Sequence, residues 1–245
     1  MLSRLIGLLQ KWGDLDREYR RDVLSLFEPN SEATLLDVGC GDGQFTLKVA
    51  ARIGTSKVFG IDVVKENVEQ AKARGIACYQ ADLDEARFPF EDESFDAVCA
   101  NQIIEHLSKT DAFVKEVYRV LRPGGYAVIS TPNLAALQCL IFLLLGWQPL
   151  PAHVSDETTT VGSPVRRFDC QDQKMPGSHH RRVFTLRALE EFLKHHGFDV
   201  EGGVASGFFP LPASIARLVC AFDKRHATNL AVKAHKSYPN GATGT

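Results

Sequence analysis

What this 245-residue sequence lacks narrows its function before any motif is read. It has no excess of either charge: 28 Lys and Arg stand against 30 Asp and Glu, a net charge of −2. Without a basic field there is nothing to draw in nucleic acid. The pairs Arg166-Arg167 and Arg181-Arg182 are too few to reverse that. The six cysteines, at 40, 78, 99, 139, 170 and 220, form no CxxC pair, so neither a zinc knuckle nor a disulfide framework is expected. Reduced thiols in a cytoplasmic protein are the expectation. The one longer apolar run, LAALQCLIFLLLGW at 134–147, falls short of the ~20 residues that span a bilayer. The N-terminal stretch lacks the apolar core and small-residue cleavage site of a signal peptide and reads as an amphipathic helix. No internal repeat is evident.

What is present is an alternation of strand and helix signals from residue 33 onward. Short apolar runs at 33–38, 57–62, 76–82, 95–101 and 125–132 read as strands, and 44–54, 65–75 and 111–125 as helices. Near-continuous apolar character in the strands means burial on both faces by helices. The predicted fold is therefore α/β, a doubly wound, mostly parallel, Rossmann-like sheet. Residues 1–30 form a helical cap, 31–132 a cofactor-binding core, 133–182 a variable lid or acceptor segment, 183–236 the rest of the core sheet, and 237–245 a frayed tail. Thr185 is set to cap a helix that ends near His196, ahead of Gly197. A further helix follows at about 212–224 and a last strand at 229–236. His195 and His196 read as exposed residues complementing the helix dipole.

The stretch LLDVGCGDGQF at 35–45 carries the functional signal. Glycines at 39, 41 and 43 between a strand and a helix sacrifice packing so that a ligand can approach the backbone at a helix N-terminus. A second strand ends in Asp62, 21 residues beyond Gly41, placed to accept both hydroxyls of a ribose. Yet position 44 is Gln where the dinucleotide fingerprint has its last glycine. Asp37 and Asp42 would also crowd a pyrophosphate. A nucleoside with a cationic or zwitterionic tail, as in S-adenosylmethionine, suits these charges better.

LLDVGCGDGQF resembles the first motif of class I S-adenosylmethionine-dependent methyltransferases, and VFGID, QADLD, FDAVCANQIIEHL and LRPGGYAVISTPN follow in the family's order. HHRRVFTLRALEEFLKHHGFDVE resembles the late helix and strand of the ubiquinone-biosynthesis-like branch. The resemblance implies that Asp37 and Gly39 lie by the methionine moiety, that Cys40 between the glycines also belongs to the cofactor-binding set, and that Gly41 and Gly43 allow close backbone approach. Asp62 would hold the ribose, with Val63 beside it. Asp82 would take the adenine amino group with Leu83 by the ring, and Asn101 would bound the methionine end. S-adenosylhomocysteine would be the product.

Methyl transfer needs alignment and, for an alcohol or amine, a base. His106, just past the fourth strand, is the candidate base, with Glu105 beside it. The family also contains members in which an E-x-x-E-H stretch and a later histidine hold a divalent ion. Here the first acid is Gln102, which leaves Glu105, His106 and His180 (or His179) as a weakened set, so no metal is the expectation. The expected activity is methylation of a small-molecule acceptor, on a hydroxyl oxygen, with N- or C-methylation as the alternative. Outside that class stand a non-catalytic cofactor-binding subunit and an NAD-dependent oxidoreductase. No nucleic-acid partner is expected. The apolar runs at 134–147 and 204–222 are expected to pack as helices over the site, with a lipophilic acceptor or peripheral membrane contact as the alternative.

Overall fold

The computed structural model describes residues 16–85, 87–155, 157–159, 161–163 and 179–238. A helix over residues 16–24 (α1) precedes β1 (Thr34–Val38), α2 (Gln44–Ile53), β2 (Lys57–Asp62), α3 (Lys65–Ala73), β3 (Ala77–Gln80) and β4 (Phe95–Asn101). A single 3-10 turn, Ile104–His106, leads to α4 (Thr110–Val120) and β5 (Leu121–Pro132). Beyond it lie α5 (Leu137–Leu144), α6 (Leu186–His195), β6 (Phe198–Ser206), α7 (Ala213–Phe222) and β7 (Asn229–Lys236).

The strands form one seven-stranded sheet in the order β3-β2-β1-β4-β5-β7-β6. All pairings from β3 through β5 are parallel, and β7 runs antiparallel to both neighbours. Each strand sends alternate residues to opposite faces. Leu36, Val98 and Ile129 meet Phe113, Val117, Leu189 and Leu193 from α4 and α6 in one buried cluster. Leu35, Ala97 and Val128 meet Val23, Phe45, Val49 and Val68 from α1, α2 and α3 in the other. The chain order reverses between β1 and β4, so the crevice at their carboxyl ends is where an open α/β sheet takes its ligand.

Several boundaries differ from the sequence reading. The helix expected over 111–125 stops at Val120, because Leu121 already pairs with Phe95. Arg122 bonds the Asp96 carboxylate at 2.6 Å, and Gly124 (φ 81°) carries the irregularity that brings Tyr126 into register with Ala97. The third strand is only four residues long. Thr185 does cap its helix, its hydroxyl accepting from the Ala188 amide at 3.2 Å. His195 is exposed as expected, but the His196 side chain is buried, with Nε2 3.0 Å from Asp111 Oδ1. The expected tail beyond 238, the first fifteen residues and the 164–178 stretch of the lid lie outside the described residues.

The insertion leaves and rejoins the sheet at one point. Leu134 donates to the Phe184 carbonyl at 2.8 Å, and buried Asn133 donates to the carbonyls of Arg225 and Ala227. Its helix α5 buries Cys139 but leaves Leu143, Leu144 and Leu145 exposed, Leu144 at 86%. Among the described residues no helix is long and apolar enough to cross a membrane.

Candidate active site

The glycine turn closes β1 onto α2, and its three glycines have three different reasons. All have positive φ, at 77°, 55° and 82°, where L side chains are strained. A Cβ at Gly39 would stand 2.8 Å from the Ile103 side chain, and one at Gly43 would run into Ile76. A Cβ at Gly41 would meet nothing within 4 Å, because that residue opens onto a cavity of about 320 Å³. Asp37, Gly39, Cys40, Gly41, Asp42, Gln44, Phe45 and Asn101 line it, joined by Arg20 from α1. Gly43 serves the turn and the start of α2 instead of the cavity wall.

Asp62 is tied to this turn. Its carboxylate accepts from the Gly41 amide at 2.9 Å, the Val64 amide at 2.9 Å and Asn67 Nδ2 at 3.2 Å. Val63 beside it is exposed. Asp82 is exposed and accepts from the Asp84 amide in a local turn, while Leu83 is buried beside Phe88. Asp37 is fully enclosed. Its Oδ2 takes the Thr46 hydroxyl at 2.6 Å, the Cys99 thiol lies beside it, and Oδ1 has no hydrogen-bond partner among the described residues. Burial pushes this carboxyl up to about 6.

At the end of β4, Asn101 belongs to a hub that no sequence pattern announced. Tyr19 of α1 places its hydroxyl 2.6 Å from Asn101 Oδ1 and 2.7 Å from Ser130 Oγ, and accepts from Gln102 Nε2 at 2.8 Å. Burial pushes the phenol well above its usual range, so it stays a neutral donor and acceptor. Gln102 adopts φ 54°, a strained conformation held by its amide bonds to Ser130. Arg20, next in α1, stacks 5.5 Å over the Phe45 ring and bonds Asp16. Both α1 residues were missed because the sequence separation, 82 residues for Tyr19 and Asn101, leaves no local signal.

The expected catalytic pair lies on the 3-10 turn. Glu105 is 1% exposed, and neither carboxyl oxygen has a hydrogen bond among the described residues. The Thr131 hydroxyl is nearby without completing one, and burial pushes Glu105 up to about 8. The Glu105 carbonyl instead anchors the returning insertion by accepting from Arg181 and Arg182. That anchoring brings four imidazoles together. His106 Nδ1 is 3.2 Å from the His179 carbonyl, His180 Nδ1 3.0 Å from the Pro151 carbonyl, and His153 stacks on His180 at 4.6 Å. Burial, with His106 and His153 nearby, pushes His180 down to about 4. Glu105, His106 and His180 have ligand atoms all within 4.8 Å of one another. His153, from the lid, is the cluster member the sequence did not single out.

A glycine turn, a strand-end acid and a cavity at the topological switch point define a nucleotide-type site in a Rossmann-like sheet. Comparison with known proteins specifies it. Residues 36–129 match the family described as methyltransferase domain. The chain is 35% identical over 130 residues to the mouse mitochondrial ubiquinone biosynthesis O-methyltransferase, covering 49% of this chain and 34% of that one. It is 34% identical to the ubiquinone/menaquinone biosynthesis C-methyltransferase of Geotalea daltonii, covering 49% and 55%. The chain thus spans between a third and just over half of these relatives. An S-adenosylmethionine-dependent methyltransferase from Mesorhizobium loti superposes with a TM-score of 0.59 at 22% identity, covering 87% and 95%. Over residues 36–129 the chain thus carries a methyltransferase domain similar to those of S-adenosylmethionine-dependent methyltransferases, and S-adenosylmethionine is the cofactor that domain implies.

Proposed function

We propose that this protein transfers the methyl group of S-adenosylmethionine to a hydroxyl oxygen of a small-molecule acceptor. The observation that carries the donor half is Asp62 bonded to the Gly41 amide on the cavity rim, a carboxylate with lone pairs left for ribose hydroxyls. Asp37 lines the cavity, and its carboxylate, with Oδ1 unpartnered among the described residues, favours a cationic group over a pyrophosphate, which is the fit expected of this cofactor. Arg20 then pairs with the carboxylate at the methionine end, and Asp82 and Leu83 receive the adenine.

When bound, the cofactor supplies an electrophilic methyl on sulfonium. The chain's part would be to align an acceptor oxygen opposite the departing sulfur, with S-adenosylhomocysteine as the product. His106 takes the acceptor's proton, held in orientation by its Nδ1 contact with the His179 carbonyl. Glu105 beside it, its carboxyl raised by burial, adds no fixed negative charge next to the imidazole. Exposed Leu143, Leu144 and Trp147 on the insertion favour a lipophilic acceptor that arrives past them. The same exposure supports contact with a membrane surface, and a cytoplasmic location is retained as part of the proposal. A carbanion-stabilised carbon replaces oxygen as the nucleophile if the C-methylating relative is the better guide. Turnover of phenolic and catecholic acceptors with radiolabelled cofactor tests the assignment, and methylation only at carbon would overturn the oxygen specificity.

A second reading rests on the grouping of Glu105, His106 and His180. One carboxylate and two imidazoles, with buried carboxyl oxygens lacking hydrogen bonds, form a donor set that suits a borderline ion such as zinc better than magnesium. His106 would then be a ligand and not the base, and a bound ion would supply Lewis-acid polarisation of the acceptor oxygen. Metal analysis with chelator treatment separates the two, since full turnover in excess chelator excludes this reading.

A further inference from the structure

The cofactor cavity has a cysteine in its wall, and a second thiol lies directly behind it. Cys40, between the first two glycines of the turn, lines the cavity, and its Sγ is 3.4 Å from Sγ of Cys78 on β3. Both are buried, at 6% and 4% exposure. Cys40 follows β1 and Cys78 lies in β3, with β2 running between those strands, and the two sulfurs meet in the space over Gly60. Gly60 pairs with Asp37 on one side and Cys78 on the other. A Cβ at Gly60 would stand 2.8 Å from Cys40 Sγ and 3.4 Å from Cys78 Sγ. Its missing side chain is therefore what lets the two thiols touch. The Cys40 thiol bonds Cys78 and pulls the Cys78 thiol below its usual range, while that bond, burial and the Asp37 carboxylate push Cys40 up.

We propose that Cys40 and Cys78 are an oxidisable pair, and that closing them into a disulfide shuts the S-adenosylmethionine site. Hydrogen peroxide serves as oxidant. The thiolate of one cysteine attacks it, breaking the O–O bond to give a sulfenic acid and hydroxide. The sulfur of the other then attacks the sulfenic sulfur, breaking the S–O bond, and the hydroxyl leaves as water. Two thiols are oxidised to one disulfide, the peroxide is reduced to two waters, and those waters carry both thiol protons.

Bond formation must shorten the 3.4 Å separation to about 2.05 Å, so the Cys40 side chain moves toward β3. The backbone it moves is the binding turn. Gly39 and Cys40 donate to the Ile61 carbonyl, at 2.8 and 3.0 Å, and Gly41 donates to Asp62. Displacing that turn disturbs the glycine approach and the ribose acid together. By linkage, a disulfide that weakens cofactor binding is itself opposed by bound cofactor.

This inference rests on the cofactor reading above, and one experiment separates them. The full-length reduced protein is treated with hydrogen peroxide, mapped by peptide mass spectrometry and titrated with S-adenosylhomocysteine by calorimetry. The expected result is a Cys40–Cys78 linked peptide, an affinity loss of about tenfold or more and recovery with dithiothreitol. Prior addition of S-adenosylhomocysteine slows the linkage. Cys78→Ser and, should that variant fold poorly, Cys78→Ala keep the reduced affinity after peroxide. Absence of the linked peptide, linkage without loss of affinity, or equal loss in the Cys78 variants would overturn the proposal. Failure of the reduced protein to bind S-adenosylhomocysteine would instead overturn the cofactor reading, while the peptide map still decides whether the pair closes.

Discussion

The proposed donor and acceptor halves of this site are built from different materials. On the donor side, β1, the glycine turn and β2 hold the cavity wall through short-range backbone geometry: positive-φ glycines, strand register and a carboxylate bonded to an amide 21 residues earlier. On the acceptor side, Glu105 and four imidazoles gather from a 3-10 turn and from two ends of the insertion, through side chains and carbonyls. Backbone geometry recurs wherever the same ligand must be held, so the donor half is shared with many proteins. Side chains drawn from an insertion change without disturbing the sheet, so the acceptor half is free to specialise.

The comparison is broken most sharply at Asp62. Asp62→Ala removes the ribose acceptor and the partner of the Gly41 amide together. Cofactor affinity should fall by about 10³-fold, since each charge-assisted bond is worth ~1.5–3 kcal/mol. Calorimetry with S-adenosylhomocysteine reads this, and unchanged affinity refutes the ribose assignment. His106→Ala should do the reverse, lowering kcat by about 10²-fold with cofactor affinity unchanged. If the variant instead loses cofactor affinity, the two halves are not separable in the way described.

Glu105 sharpens the acceptor side through pH. Its carboxyl is raised by burial from 4.5 to about 8, so the folded protein holds a proton the unfolded chain has lost between those values. That contribution to stability is complete below pH 4.5 and is lost as pH rises through 8. Asp37, raised from 3.8 to about 6, acts in the same sense over a lower range. Glu105→Gln should therefore flatten the fall in Tm between pH 5 and pH 9 by several degrees, and a variant tracking the parent across that range contradicts the neutral carboxyl. The smallest effect is expected at the seam. Tyr19→Phe removes the hydroxyl shared by Asn101, Ser130 and Gln102, at a cost of about 1–2 kcal/mol in stability and a few-fold rise in KM. Thermal unfolding and steady-state kinetics check both.

The donor half was legible in the sequence because its rules are local. Strand alternation, three glycines and an acid at a strand end sit within thirty residues, and β2, β4 and β7 begin and end where the apolar pattern places them. The failures have equally local causes. LRPGG carries helix-stopping residues, which obscured that Leu121 and Arg122 already pair with Phe95 and Asp96 across the sheet. His196 looked like a helix-end residue open to water until Asp111 of another helix closed over it. Tyr19, Arg20, His153 and the contact between Cys40 and Cys78 are products of tertiary packing. Each depends on which strands adjoin, and for the thiols on Gly60 lying between them.

The most direct test of the account is a calorimetric titration of the reduced protein with S-adenosylhomocysteine and, separately, with NAD, repeated for Asp62→Ala. The account predicts one binding site for S-adenosylhomocysteine, no heat with NAD, and loss of binding in the variant. Binding of NAD in preference, or an Asp62→Ala variant that holds S-adenosylhomocysteine as tightly as the parent, would contradict it.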